Sequence, residues 1–364
     1  MFVAAITYLN IHLENIGISA TRIGFITSFS RALAIIIMPI WGIIADYLGA
    51  NKKVLMITLS GTIVFLLSFL TTEVFMVVFI IYIFYFIFES PLIPLSDSLL
   101  LNHLEEKSNT YGRFRVWGSI GYMIAIIPFG YIIEQTHSRN LFFLASGTLF
   151  IALMALIKLP ESNKDLDVAS ITDFKMLFKN KKLFLFLVFT FLIQVPLTAN
   201  YTFFPIFFTH TGGGETLLGI GMLISAGSEL IIFQKSDKFF EKFNFKLLFT
   251  ISAGFFALRW FLIALFPTPE ILLFTQLFHG ITYALFHVTA VYFISKIVGD
   301  NFKATGQNLY ASTVSIAIVF SGFLGGVIYD NLGGARLYLI GGLIAVLAGL
   351  GSYLNILIKT PKTN

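Results

Sequence analysis

The chain has 364 residues, 57% of them hydrophobic and only 12% charged, with 24 Lys and Arg against 19 Asp and Glu for a net charge of +5. Soluble domains are about a quarter charged because a surface in water demands it; here the charges fall in short clusters between long apolar runs, which sets a water-soluble fold aside. The absence of cysteine excludes disulfides, thiolate metal sites and cysteine nucleophiles.

A spanning helix needs about 20 apolar residues to cross about 30 Å of hydrocarbon. Read in chain order between polar breaks, the sequence predicts twelve such helices. The first, 1–12, covers only about 18 Å at 1.5 Å per residue and reads as truncated at its N-terminus. Its opening MFVAAITYLN lacks the basic n-region and small-residue cleavage site of a signal peptide. The second, 21–45, carries Arg31 and leads to Asp46, Lys52 and Lys53. The third spans 54–72. The fourth, 74–96, holds Glu89, Pro91 and Pro94 and ends at Asp97. The fifth, 116–133, follows Arg113 and Arg115 and contains Pro128; the sixth is 140–158.

A polar stretch of mixed charge, 160–182, then divides six spans from six and reads as a cytoplasmic linker. The expected domains are therefore 1–159, the linker 160–182, and 183–364. The seventh span, 183–209, contains Gln194, Pro196, Asn200 and Pro205. The eighth, 216–234, contains Glu229, and the ninth, 247–266, contains Arg259 and Trp260. The tenth, 270–295, carries Gln276, His279 and His287. The eleventh, 307–329, holds Gly322, Gly325 and Gly326, and the twelfth is 334–358. The prolines read as kinks and the glycines as sites of close helix contact.

With the loop after the second span placed inside, 19 of the 24 Lys and Arg lie inside as well. That is the bias of the positive-inside rule. It accounts for the basic charge without nucleic acid, and it puts both termini in the cytoplasm of a multi-pass inner-membrane protein. Internal similarity is faint: Gly112-Arg-Phe-Arg opens the fifth span and Gly306-Gln-Asn-Leu the eleventh, and Glu89 and Asp97 share the spacing of His279 and His287. Duplicated halves are a transporter architecture.

Ionisable groups at mid-bilayer cost several kcal/mol and normally face a partner or a watery cavity. Counting inward from each face puts Arg31, Glu89, Glu229, Arg259 and His279 near one level. This suggests a polar chamber between the halves, with Gln194, Asn200, Gln276 and His287 able to line it. Desolvation favours the protonated form of a buried carboxylate and a nearby cation opposes it, so a solute that engages the cation can shift proton occupancy. In this reading Glu229 or Glu89 carries the proton and Arg31 or Arg259 anchors an anion. The alternative reading is that each pair is a structural salt bridge holding helices in register. The histidines suit a proton relay, although His287 reads as readily as a helix-to-helix hydrogen bond. Trp260 offers a stacking surface or plain packing.

No Gly-x-x-x-x-Gly-Lys-Ser/Thr is present, so a P-loop ATP engine is excluded. No His-Glu-x-x-His occurs, and the histidines lack metal-ligand spacing. No cofactor or metal is expected. Gly212–Gly214 reads as a turn, and the Asn200-Tyr-Thr sequon falls inside a span.

The stretch Gly42-Ile-Ile-Ala-Asp46-Tyr-Leu-Gly49-Ala-Asn-Lys52-Lys53 resembles the signature of the major facilitator superfamily, with Asn51 where that signature commonly has arginine. Four further pieces resemble its phenylpropionate permease group, related to sugar and nucleoside proton symporters. They are Phe88-Glu-Ser-Pro-Leu-Ile-Pro-Leu-Ser-Asp97, Tyr111-Gly-Arg-Phe-Arg-Val-Trp-Gly-Ser119, Ser228-Glu-Leu-Ile-Ile-Phe233, and Leu258-Arg-Trp260 with Gln276-Leu-Phe-His279. The resemblance implies an all-α major facilitator fold of two six-helix bundles, alternating access and proton-coupled uptake. It also suggests gating by Asp46, Lys52, Asp97, Arg113 and Arg115, the last three as an inner ion-pair gate.

The resulting expectation is a monomeric symporter, in contact with membrane lipid, that moves protons and a small organic solute, an aromatic acid being one candidate. An exporter of the same fold and a non-transporting membrane sensor are the alternatives. An integral membrane enzyme would need a clustered site near one face, and these polar residues are instead scattered over five helices.

Overall fold

The computed structural model describes residues 1–48, 50–104, 111–159, 180–298 and 303–354. Among them there are helices and no strands, as the apolar runs require. In lipid, a backbone without water satisfies its N–H and C=O groups within each helix.

The expected first span is two short helices, α1 (Phe2–Ile6) and α2 (Leu9–Asn15). They are followed by α3 (Ala20–Leu48), α4 (Asn51–Ser68), α5 (Phe75–Glu89), α6 (Leu92–Leu104), α7 (Tyr111–Gln135) and α8 (Asn140–Ile157). Next come α9 (Lys181–His210), α10 (Glu215–Lys242), α11 (Phe245–Leu265), α12 (Pro269–Gln276), a π-helical turn (Gly280–Ala284), α13 (Leu285–Val298), α14 (Lys303–Leu332) and α15 (Gly334–Tyr353). Eleven helical segments among the described residues are long and apolar enough to cross a bilayer.

The ends follow from local chemistry. Asn180 accepts from the backbone N–H groups of Lys182 and Leu183 at the start of α9, and Asn244 does the same for Leu247 on α11. Pro269 opens α12, where its missing N–H costs nothing. Pro91 falls in the break between α5 and α6, so the fourth span is two helices. Pro128, Pro196 and Pro205 lie inside continuous helices.

Two compact units result. Unit 1 is built from described residues within Met1–Ile18, Phe29–Ala169 and Glu215–Gly219; unit 2 from those within Ser19–Ser28, Ser170–Gly214 and Ile220–Asn364. Most of the expected linker, 160–179, lies outside the described residues. Lipid tails are as apolar as leucine, so helix association inside each unit rests on close packing. In unit 2, Phe186, Phe249 and Phe293 interlock with ring centroids 5.0–5.6 Å apart. In unit 1, Phe69 stacks on Phe142 at 5.2 Å. Such pairs contribute about 0.5–1.5 kcal/mol each beyond burial. Part of the chain's phenylalanine therefore packs between helices.

One contact occurs twice. In unit 2 the carboxylate of Asp330, near the end of α14, accepts the N–H groups of Ala20 (3.1 Å) and Thr21 (2.8 Å) at the start of α3. In unit 1 Glu134, at the end of α7, accepts the N–H of Thr216 (2.9 Å) at the start of α10. An anion at a helix N-terminus satisfies orphan donors and complements the helix dipole. Both sites depend on backbone contact: a Cβ on Gly326 would strike the Ala20 carbonyl, and one on Gly130 the Glu215 carbonyl. The repeat is visible in Gly130-Tyr131-Ile132-Ile133-Glu134 against Gly326-Val327-Ile328-Tyr329-Asp330. It recurs in Ala20-Thr21-Arg22-Ile23-Gly24 against Glu215-Thr216-Leu217-Leu218-Gly219. This duplication is clearer than the faint similarity expected at Gly112 and Gly306.

Candidate functional site

In unit 2 the eighth and tenth spans touch backbone to backbone. The N–H of Gly280 donates to Ser228 Oγ at 2.9 Å, and a Cβ on Gly280 would collide with the Ser228 carbonyl. This approach sets Glu229 beside His279, with Glu229 Oε1 3.0 Å from His279 Nε2. The other ring nitrogen, Nδ1, lies 2.8 Å from Arg259 Nη1 on α11.

A guanidinium can only donate, so His279 Nδ1 accepts from Arg259. The imidazole proton then sits on Nε2 and is donated to Glu229. These hydrogen-bond partners assign a neutral imidazole standing between a cation and an anion. Arg259 Nη2 also donates to Gln276 Oε1 at 2.8 Å, Nη1 to Thr282 Oγ1 at 3.4 Å, and the guanidinium lies 5.0 Å from the centroid of the Trp260 ring. Among the described residues no carboxylate touches the guanidinium. Its counter-charge reaches it through the imidazole.

Accessibility separates these groups. Arg259 is 0% exposed, whereas the Glu229 side chain is 26% exposed and Tyr201, edge-on to His279 at 6.1 Å, is 50% exposed. A solute reaching this surface meets a carboxylate and a tyrosine, with the arginine sealed behind them. Below His279 the rings of Tyr283 and His287 stack in turn at 5.4 and 5.7 Å, and His287 Nδ1 lies 3.1 Å from Tyr310 Oη. Residues 279, 283 and 287 recur every fourth position, so they share one helix face.

Of the residues expected at this level, Glu229, Arg259, Gln276 and His279 come together. Asn200 and Trp260 point elsewhere: Asn200 Oδ1 accepts from Tyr338 Oη at 3.2 Å, and the Trp260 ring lies 5.7 Å from that of Tyr338. In unit 1, Arg31 is exposed and sits 4.9 Å over the Phe86 ring, with Glu89 within coulombic reach. Lys52 Nζ donates to the carbonyls of Ile157 and Leu159 at the end of α8, where a cation complements the helix dipole. Asp97 is half-buried. The side chains of Asp46, Arg113 and Arg115 lie outside the described residues, and so does the expected Asp97 ion-pair gate. No cluster of metal-ligating side chains occurs among the described residues. Tyr201, Thr282 and Tyr283 were not anticipated; the four-residue spacing to His279 and His287 was the available signal for Tyr283.

The crossing at Gly280 makes a first prediction. Gly280→Val should lower the thermal unfolding midpoint in detergent, through about 1–3 kcal/mol of overpacking. Gly227→Val, next to Ser228 but with nothing within 4 Å of its added Cβ, should leave the midpoint unchanged. Equal midpoints for the two variants would contradict this crossing.

A polytopic helical bundle with a carboxylate, imidazole and guanidinium joined at mid-span is the construction of a secondary transporter. Residues 2–340 match the family model described as MFS_1 like family. The chain belongs to that family and has the major facilitator fold. It is 28% identical over 337 residues to an uncharacterized transporter, YwbF, of Bacillus subtilis (strain 168), covering 92% of this chain and 84% of that one. It is 26% identical to the maltose permease of Geobacillus stearothermophilus, covering 85% and 79%. It is also 26% identical to a probable 3-phenylpropionic acid transporter of Escherichia coli (strain K12), covering 68% and 66%. Among solved structures, the nucleoside transporter NupG superposes with a TM-score of 0.85 at 18% identity, covering 98% of this chain and 96% of that one. A D-xylose-proton symporter gives 0.70 at 16% identity, covering 98% and 92%.

Proposed function

We propose that this chain is a proton-coupled symporter that takes up a small, uncharged, hydroxyl-bearing organic solute by alternating access. The observation that carries the reading is the sealed arginine behind a reachable carboxylate. Glu229 uses one oxygen on His279, and no partner occupies the other among the described residues. That oxygen can accept a solute hydroxyl, while the rings of Tyr201 and Tyr283 offer apolar faces. Protonating Glu229 removes the anion that His279 donates to, so solute and proton act on one group. The relatives that support a hydroxylated solute are the maltose permease and the nucleoside transporter, and the D-xylose-proton symporter supports the coupling ion. The chain then sits in the inner membrane as a monomer, its termini and lysine-rich loops in the cytoplasm. Asp46, Lys52, Asp97, Arg113 and Arg115 serve the gate on that side.

A second reading rests on Arg31. An exposed guanidinium over an aromatic ring suits an aromatic carboxylate, and one relative is a probable 3-phenylpropionic acid transporter. Proteoliposomes with an alkaline interior discriminate the two. The first reading expects accumulation of maltose or uridine that collapses with a protonophore. Accumulation of 3-phenylpropionate alone supports the second. Uptake of any of these that ignores the pH gradient removes proton coupling.

A further inference from the structure

Unit 2 contains a second feature that the transport reading does not use. A cavity of about 210 Å³ lies between α9, α11, α14 and α15. Neither Glu229, His279, Gln276 nor Tyr201 lines it. Its walls are almost wholly hydrocarbon, and Gly325 and Gly341 are among its lining residues. Four polar side chains interrupt the wall. Ser321 Oγ pairs with Thr198 Oγ1 and Tyr338 Oη donates to Asn200, which leaves the donors of Asn200 and Trp260. Asn200, 4% exposed, gives its oxygen to Tyr338, and among the described residues its amide nitrogen has no partner. Trp260 is 1% exposed and its Nε1 has no partner either. The edge of that indole faces the cavity at Gly341, where an added Cβ would lie 3.6 Å from Cδ1, the atom bonded to Nε1.

An unpaired donor buried in hydrocarbon costs about 1–3 kcal/mol, and Trp260 Nε1 is such a donor beside this cavity. Its size exceeds the roughly 150 Å³ apolar cavity known to hold benzene. Phe320 and Leu324 on its rim are exposed and lie midway along the eleventh span. At 100° per residue they occupy the face of α14 opposite Gly322, the residue that packs on α3. The mouth is therefore apolar and at hydrocarbon depth.

We propose that this cavity binds an uncharged lipophilic molecule with the bulk of about one aromatic ring and one hydrogen-bond acceptor, such as a carbonyl, which enters from the bilayer. The ligand is either a free small molecule or the ester end of a lipid chain; both present the same chemistry. Because Arg259 rests against the Trp260 ring, an occupant shares a wall with the ion-pair site without touching it.

The chain has three tryptophans. Trp41→Phe with Trp117→Phe leaves Trp260 as the only tryptophan in the full chain, excited selectively over tyrosine at the red edge of its absorption, in phosphatidylcholine vesicles. The probes are 4-bromoacetophenone, whose bromine quenches indole on contact, and 1-bromo-4-ethylbenzene, of the same shape without the acceptor. Saturable quenching is expected, with the ketone saturating at about 10-fold lower concentration, as one hydrogen bond allows. Asn200→Leu should narrow that gap, and Ile344→Phe with Leu324→Phe, filling the cavity, should abolish the saturable phase. In the unmodified chain the ketone should raise the thermal midpoint more than the ethyl analogue, a comparison that needs no substitution. Vesicles with brominated acyl chains identify the source. Quenching of Trp260 by these lipids, relieved by ethylbenzene, which carries neither bromine nor ketone, assigns the site to lipid; no lipid quenching assigns it to the free molecule. Quenching that rises linearly, equally for both probes and unaltered by the filled cavity, would overturn the proposal.

Discussion

Glu229→Gln should stop the protein from concentrating its solute while leaving it able to exchange solute across the membrane. The amide keeps the shape of the carboxylate, and its oxygen still accepts the proton of His279 Nε2, now 3.0 Å from Glu229 Oε1. What is lost is a group that can hold and release a proton. One pH unit is worth about 1.4 kcal/mol, so one proton per solute drives about tenfold accumulation in the native protein. The variant should fall to a ratio of about one under the same gradient, with counterflow of preloaded solute retained. A Gln variant that still concentrates solute would move the proton elsewhere, with Glu89 the next carboxylate to test. A variant that loses counterflow too would mean that the charge is needed for binding rather than coupling. His279→Leu should behave differently, because it strands Arg259, which is 0% exposed. Removing one partner of a buried charge network costs about 3–5 kcal/mol, so that variant should fail in folding or yield before coupling can be measured.

Depth was legible in the sequence and direction was not. A helix advances 1.5 Å per residue, so counting from the membrane faces puts Arg31, Glu89, Glu229, Arg259 and His279 near one level. In the structure Glu229, His279 and Arg259 are joined, with Gln276 on Arg259, and Arg31 and Glu89 lie in unit 1. The side to which a residue points depends on where the neighbouring helices lie, which counting does not supply. Trp260 follows Arg259 in the chain, and the two share a cation–π contact. Yet Trp260 is directed at α15 and the apolar cavity, away from any solute meeting Glu229. Arg259 itself has the composition of an anion anchor and the burial of a positioning group. The break in the tenth span was also hidden: a π turn occupies Gly280–Ala284, and its first residue contacts Ser228 on another helix. Tyr201 went unnoticed because a tyrosine among phenylalanines pays little for its depth. Only its half-exposed position next to His279 marks it.

The duplicated clamp yields the other large effect. α3 and α10 are each divided between the two units, and each starts under a carboxylate from the unit that holds its first turns. In the orientation proposed above these ends lie at the outer face, and we expect an outward opening to part both starts from their caps. A Cβ added at Gly24 would land on the Gly322 carbonyl, and an indole there cannot fit while α3 rests on α14. Gly24→Trp should therefore hold α3 off α14. A cost on the order of 3 kcal/mol to the closed contact shifts its population about 100-fold, enough to halt a cycle that must close and reopen. The native chain has no cysteine, so Thr21→Cys gives a clean reporter. An impermeant maleimide should label it slowly in the native background and much faster with Gly24→Trp, while accumulation of solute falls to background. Asp330→Asn and Glu134→Gln remove one charged cap each, worth about 1 kcal/mol. Each should raise labelling by a smaller factor, and the two together by about the product, since the caps lie in separate units. Labelling that stays slow in Gly24→Trp would mean that the first turns of α3 do not part from α14 during transport.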